Sequence, residues 1–145
     1  MIYFRVVLFC QLGSKEKMYP PPTELRARTK AASLHAIKLY RSLPDRDEAM
    51  IVGKRMFRTV TRAGAYYRAA VRCRKLRSYL NRLDGALYEL ELAAYWLELL
   101  LDGDLGPRTP TSSLLTEVHE LMAIMVSCRK SARKLGNRRA SMSSS

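Results

Sequence analysis

Seven cations recur at helical spacing along one segment of this 145-residue chain: Lys54, Arg55, Arg58, Arg62, Arg68, Arg72 and Lys75. At 100° per residue they share one arc of a helix. Such an arc of guanidinium and ammonium groups suits phosphate oxygens, with counterion release and a steep dependence on salt. The arc holds few aromatics or amides, so it predicts contact with a nucleic-acid backbone and no reading of base edges.

The other candidates for chemistry are sparse. Cys10, Cys73 and Cys128 are isolated, no C-x-x-C pair occurs, and His35 and His119 lie far from each other and from any cysteine. A structural zinc site needs four converging soft ligands, so no metal and no cofactor is expected. The cysteines read as reduced, small apolar residues, which places the chain in the cytoplasm. Glu89 and Glu91 are two residues apart, so on a helix they point about 200° away from each other and form no catalytic carboxylate pair. Their expected role is pairing with arginines of the preceding helix, because a buried carboxylate requires a partner. With no base, nucleophile and orienting group brought together, the reading is of a protein that is not an enzyme.

The elements that must position the arc follow from period and punctuation. Hydrophobic residues make up 48% of the chain, Gly and Pro are few at seven and six, and the net charge is +13. This is a folding all-α composition carrying excess positive charge, not a disordered tail. A first helix carries Leu25, Ala32, Ala36, Leu39 and Leu43, with Thr23 as its cap, and stops at Pro44. The second holds an unbroken seam of Ala49, Gly53, Met56, Val60, Ala63, Tyr67 and Ala70, opposite the basic arc. Gly53 and Gly64 mark close helix–helix approach there. The chain is expected to turn near Lys75-Leu76-Arg77-Ser78, with Ser78 capping a third helix that runs from about residue 79 to 101. This helix is apolar over most of its surface, which predicts burial by its own bundle and by a second subunit. Tyr66, Tyr67, Tyr95 and Trp96 read as core or interface packing. After the loop at residues 102–107, a fourth helix carries Leu114, Val118, Leu121, Met125, Cys128, Ala132 and Leu135, with Gly136 as its cap.

The domain reading is therefore a bundle over residues 23–136 between two extensions. Residues 1–22 read as a poorly ordered extension or the product of an upstream start, since Met18 is a plausible beginning. Their apolar run is too short to span a bilayer. Residues 137–145 read as a disordered Ser/Arg tail. Along the chain the charge divides into +2 for residues 1–22, +4 for 23–44, +7 for 45–80, −5 for 81–104 and +5 for 105–145. The third helix is thus acidic while its neighbours are basic, and its carboxylates exclude a transmembrane reading.

Across the second and third helices the sequence resembles a bacterial four-helix-bundle family. The residues that carry the likeness are Leu43-Pro44, Val52-Gly53-Lys54-Arg55-Met56-Phe57-Arg58-Thr59, Thr61-Arg62-Ala63-Gly64-Ala65-Tyr66-Tyr67-Arg68-Ala69-Ala70, Leu87-Tyr88-Glu89-Leu90-Glu91 and Tyr95-Trp96-Leu97-Glu98-Leu99-Leu100. Its members include proteins encoded inside intervening sequences of large-subunit ribosomal RNA genes. Relatives are the accessory variability determinants of diversity-generating retroelements. The resemblance covers roughly residues 34–134. It implies an antiparallel up-down four-helix bundle, assembly into a homopentameric ring and no enzymatic activity. For the retroelement relatives it also implies contact with nucleic acid and a reverse transcriptase. Arg55 stands where the family commonly has Gln, Ala69 where it has an acidic residue, and Lys75-Leu76-Arg77-Ser78 where it has a Ser-x-x-Asp cap. Each departure moves this chain toward positive charge.

Two functions fit these expectations. The first is a non-catalytic, oligomeric bundle that binds RNA or DNA through Lys54, Arg55, Arg58, Arg62, Arg68, Arg72 and Lys75, as accessory to a reverse transcriptase. The alternative is a structural or protein-interaction bundle, in which basic second and acidic third helices pair between subunits. Membrane-surface binding is not expected, because the apolar seams are spent on the bundle.

Overall fold

The computed structural model describes residues 22–144, and the expectation for the extension before them lies outside the described residues. Within them the chain forms four helices: α1 (Pro22–Arg41), α2 (Asp47–Ala70), α3 (Leu76–Asp102) and α4 (Arg108–Ser143). Each packs against the next, and α1 against α4 closes the circuit. Short connections between successive neighbours make this an antiparallel up-down bundle. Among the described residues there is no strand, and no helix is long and apolar enough to cross a membrane.

Hydrophobic period sets the core. All seven seam residues of α2 are buried, as are Leu25, Ala32, Ala36, Leu39 and Leu43 of the first segment and Leu114, Val118, Leu121, Met125, Cys128 and Ala132 of α4. α3 contributes Leu83, Leu87, Leu90, Ala94, Leu97 and Leu100, so it fills the bundle from more than one side. Buried hydroxyls are satisfied locally. Thr29 donates to the Arg26 carbonyl, Thr59 to those of Arg55 and Met56, and Thr111 to that of Pro107.

Glycine permits two close approaches. A Cβ on Gly53 would collide with Leu43 Cδ1, and one on Gly64 would lie 3.2 Å from Ser33 Oγ of α1. Leu43 also sets its other methyl against Gly106, so the loops at this end of the bundle close on a single side chain.

Several boundaries differ from those the sequence predicts. α1 starts at Pro22, so Thr23 lies inside it and does not cap it. α2 ends at Ala70, and residues 71–75 make the turn, three or more residues ahead of the expected junction. Lys75 rather than Ser78 occupies the N-cap of α3, with extended backbone and no side-chain capping bond. α4 runs through Gly136 to Ser143, where a glycine stop and a disordered tail were expected. No glycine among the described residues adopts positive φ, so Gly136 makes no left-handed cap. Instead it packs against Leu76 at the start of α3, a contact that a Cβ would obstruct.

Candidate nucleic-acid interface

The basic arc lies on the outer side of α2, as the opposition of seam and charge requires. Lys54, Arg55, Arg58, Arg62, Arg68, Arg72 and Lys75 are all exposed. The first five stand on α2 itself; Lys54 to Arg68 spans about 21 Å at 1.5 Å per residue. Arg72 and Lys75 are not on the helical arc. They belong to the turn that follows α2, and they carry the positive surface around the end of the bundle.

Two members are engaged within the chain. Arg62 Nε pairs with Glu89 Oε1 at 3.0 Å, where the carboxylate side chain is only 7% exposed and the guanidinium is 48% exposed. This is the expected α2–α3 pairing, and it makes Arg62 the counter-charge of a buried acid. Glu91 is exposed and makes no ion pair among the described residues. Arg55 lies over the Trp96 ring, 5.3 Å from its centroid, a cation–π geometry. Lys54, Arg58, Arg68, Arg72 and Lys75 make no ion pair among the described residues. Their charge is available to an external anion.

The aromatic residues divide. Tyr67 is in the core, and Tyr66 packs over Gly85 of α3. Trp96 is half-buried beneath Arg55 and meets Tyr95 edge-on at 5.0 Å. Tyr95 is 53% exposed and Tyr88 is 64% exposed on the outer face of α3, so both rings stand at the surface. Period alone could not distinguish these, because α3 is apolar nearly all round.

The sequence reading missed the charges that lock the other seams. Arg28 of α1 holds Glu117 through Nε at 2.9 Å and Nη2 at 2.8 Å, and Glu120 through Nη2 at 2.6 Å. The hydrogen bond to Glu117, offset in part by desolvation and supported by Glu120, raises the Arg28 pKa above its ordinary value. Asp84 of α3 holds Arg129 at 3.0 Å and Arg133 at 3.8 Å on α4. The i, i+3 spacing of Glu117 with Glu120, and the i, i+4 spacing of Arg129 with Arg133, was the available signal.

A cleft of about 580 Å³ lies beside the Arg28 clamp, lined by His35, Ser113 and Thr116 among others. His119 is exposed on α4, Cys73 is half-buried with Sγ on the Ala69 carbonyl, and Cys128 is in the core. Among the described residues, no three His, Cys, Asp or Glu side chains gather where they could hold a metal ion.

No family model and no curated protein matches this chain. A solved structure does: a protein of unknown function from the S23 ribosomal protein family of Bacteroides thetaiotaomicron VPI-5482, at 24% identity and a TM-score of 0.69. The match covers 75% of this chain and 97% of that one. The likeness shows a shared all-helical fold.

Proposed function

We propose that this chain is a non-catalytic nucleic-acid-binding bundle whose outer α2 face takes the phosphate backbone of RNA or DNA. The carrying observation is that all seven predicted cations are exposed and six of them have no ion-pair partner among the described residues, Arg55 being engaged only with the Trp96 ring. A protein gains little by holding like charges together in water, whereas each phosphate that they neutralise releases condensed counterion. The resemblance to accessory variability determinants extends this reading to a homopentameric ring and to a reverse transcriptase as protein partner. Binding of fluorescent RNA and duplex DNA, measured near about 100 mM salt and across a salt series, tests it. Affinity that falls steeply with salt supports the reading, and no binding to either polymer defeats it.

A second reading has its own support in α3. Glu91, Glu98 and Asp102 are exposed beside Tyr88 and Tyr95, a face suited to the basic α2 of another copy. In that case the charges pair between subunits. Sedimentation across a salt series separates the two, since a salt-labile assembly without nucleic-acid affinity favours this alternative.

A further inference from the structure

The antiparallel topology sorts charge along the bundle axis in a way that no single helix reveals. The end of α2, the turn at residues 71–75, the start of α3 and the last turns of α4 all meet at one pole, as the Leu76–Gly136 contact and the Asp84 pairs with Arg129 and Arg133 require. Arg72, Arg74, Lys75, Arg77, Arg138 and Arg139 are exposed there. The acidic residues of this pole among the described residues are Glu24, in the first turn of α1, and Asp84, already held by two arginines. The opposite pole carries Asp45, Asp47, Glu48, Glu98, Asp102 and Asp104 together with Lys38, Arg41, Arg46, Lys54 and Arg108, so its charges nearly cancel. Positive charge is therefore concentrated at one end, with the basic arc of α2 running into that pole.

Resting on the nucleic-acid reading, we infer that the main phosphate-binding surface is this pole, built jointly by the α2–α3 turn and the last turns of α4. Arg74, Arg77, Arg138 and Arg139 extend the site beyond α2. Among the five turn and α4 cations Arg72, Arg74, Lys75, Arg77 and Arg138, none makes an ion pair among the described residues. Their placement also disfavours the free protein: Lys75 and Arg77 sit at the N-terminal end of α3, which has no acidic residue in its first turn. Cations at that end oppose the helix dipole, an arrangement that an arriving polyanion relieves. Nucleic acid fits this pole better than a membrane surface. Of the large, exposed apolar side chains among the described residues, only Met142 stands on the α4 projection, so the patch offers charge with almost nothing to insert into lipid.

The test compares two triple variants of the full chain, R74Q/R77Q/R138Q at the pole and K54Q/R55Q/R58Q at the far end of the arc. Glutamine keeps helix propensity, and circular dichroism confirms that each variant folds. The probes are a single-stranded RNA and a duplex DNA of about 30 nucleotides, followed by fluorescence anisotropy from roughly 50 to 300 mM salt. The pole variant is expected to lose at least about tenfold in affinity, and its log–log salt slope on duplex DNA to flatten by about three. The far-end variant loses less. A pole variant that binds as the wild type does, or that loses no more than the far-end variant, overturns the inference while leaving the α2 reading intact. A wild type that binds neither polymer defeats both. Tighter binding to phosphatidylserine vesicles than to either polymer at equal salt assigns the pole to a membrane and also overturns the inference.

Discussion

Arg62 and Glu89 join the middle of α2 to the middle of α3 through an ion pair whose two ends differ in exposure, a buried carboxylate and a half-exposed guanidinium. The burial falls on the acid, so the arginine is what makes the acid tolerable inside the protein. R62Q should therefore lower stability by about 1–2 kcal/mol, because Glu89 is left buried without its counter-charge. Adding E89Q should recover part of that loss. Urea midpoints at constant m-value decide the matter, and a wild-type midpoint for R62Q refutes the structural role. Charge reversal at Arg62 is for the same reason a poor probe of nucleic-acid binding, whereas R58Q and R68Q remove charge without orphaning an acid.

Leu43 is seated against glycine on both sides, Gly53 and Gly106. G53A gains about 1 kcal/mol in helix propensity but forces the leucine from its seat, at a cost of about 1–3 kcal/mol of overpacking. The expected balance is a net destabilisation of about 1 kcal/mol. In an L43A background the Leu43 collision is gone, Tyr40 Cδ2 alone stands close at 3.3 Å from the new Cβ, and the same G53A change should stabilise by up to about 1 kcal/mol. Thermal or urea unfolding of the four-member cycle checks this reversal of sign, and two effects of the same sign count against it.

Trp96 is the single tryptophan of the chain and lies under Arg55. Nucleic acid that reaches the far end of the arc draws Arg55 away from the ring or alters the field over it. Emission from Trp96 should change on saturation with RNA, and R55Q should shift the spectrum of the free protein. Titration that saturates binding by anisotropy but leaves the emission constant shows that the strand stays clear of this end.

The Arg28 clamp spans the α1–α4 seam, the sparsest of the four helix contacts. Both side chains of the stronger pair are about a quarter exposed, so solvent limits its worth to roughly 1 kcal/mol. R28Q should nevertheless accelerate hydrogen exchange in α1 while leaving the α2–α3 amides near their wild-type rates. Uniform acceleration across all four helices contradicts a local role.

The bundle was legible where one side of a helix is apolar and the other polar. The α2 seam from Ala49 to Ala70 and the α4 seam from Leu114 to Ala132 are buried at every predicted position. Reading failed where the structure depends on contacts between helices. Val71-Arg72-Cys73-Arg74-Lys75 turns without proline or glycine, so local chemistry leaves no mark on it. Gly136 looks like a stop, yet Leu76 occupies the space beside it and the helix continues. The cations of the arc were identifiable from spacing. Their division into a flank on α2 and a pole shared with α4 was not, because residues 72–77 and 138–139 meet only once the chain has folded back on itself.

The up-down circuit brings α1 in and lets α4 out at the same pole, with Pro22 and Ser143 both at the positive end. An affinity tag or a fused reporter attached next to either of these residues would therefore crowd the surface whose charge is in question. On the proposed nucleic-acid reading, such a fusion would weaken binding without altering a single arginine. The opposite end is the better handle: the loop at residues 103–107 is a tight connection, carrying Asp104 at a φ of 51°, and exposed positions such as Asp102 nearby can hold a label. A fluorophore or surface linker placed there leaves the basic pole facing solvent and sets the molecule in a known orientation.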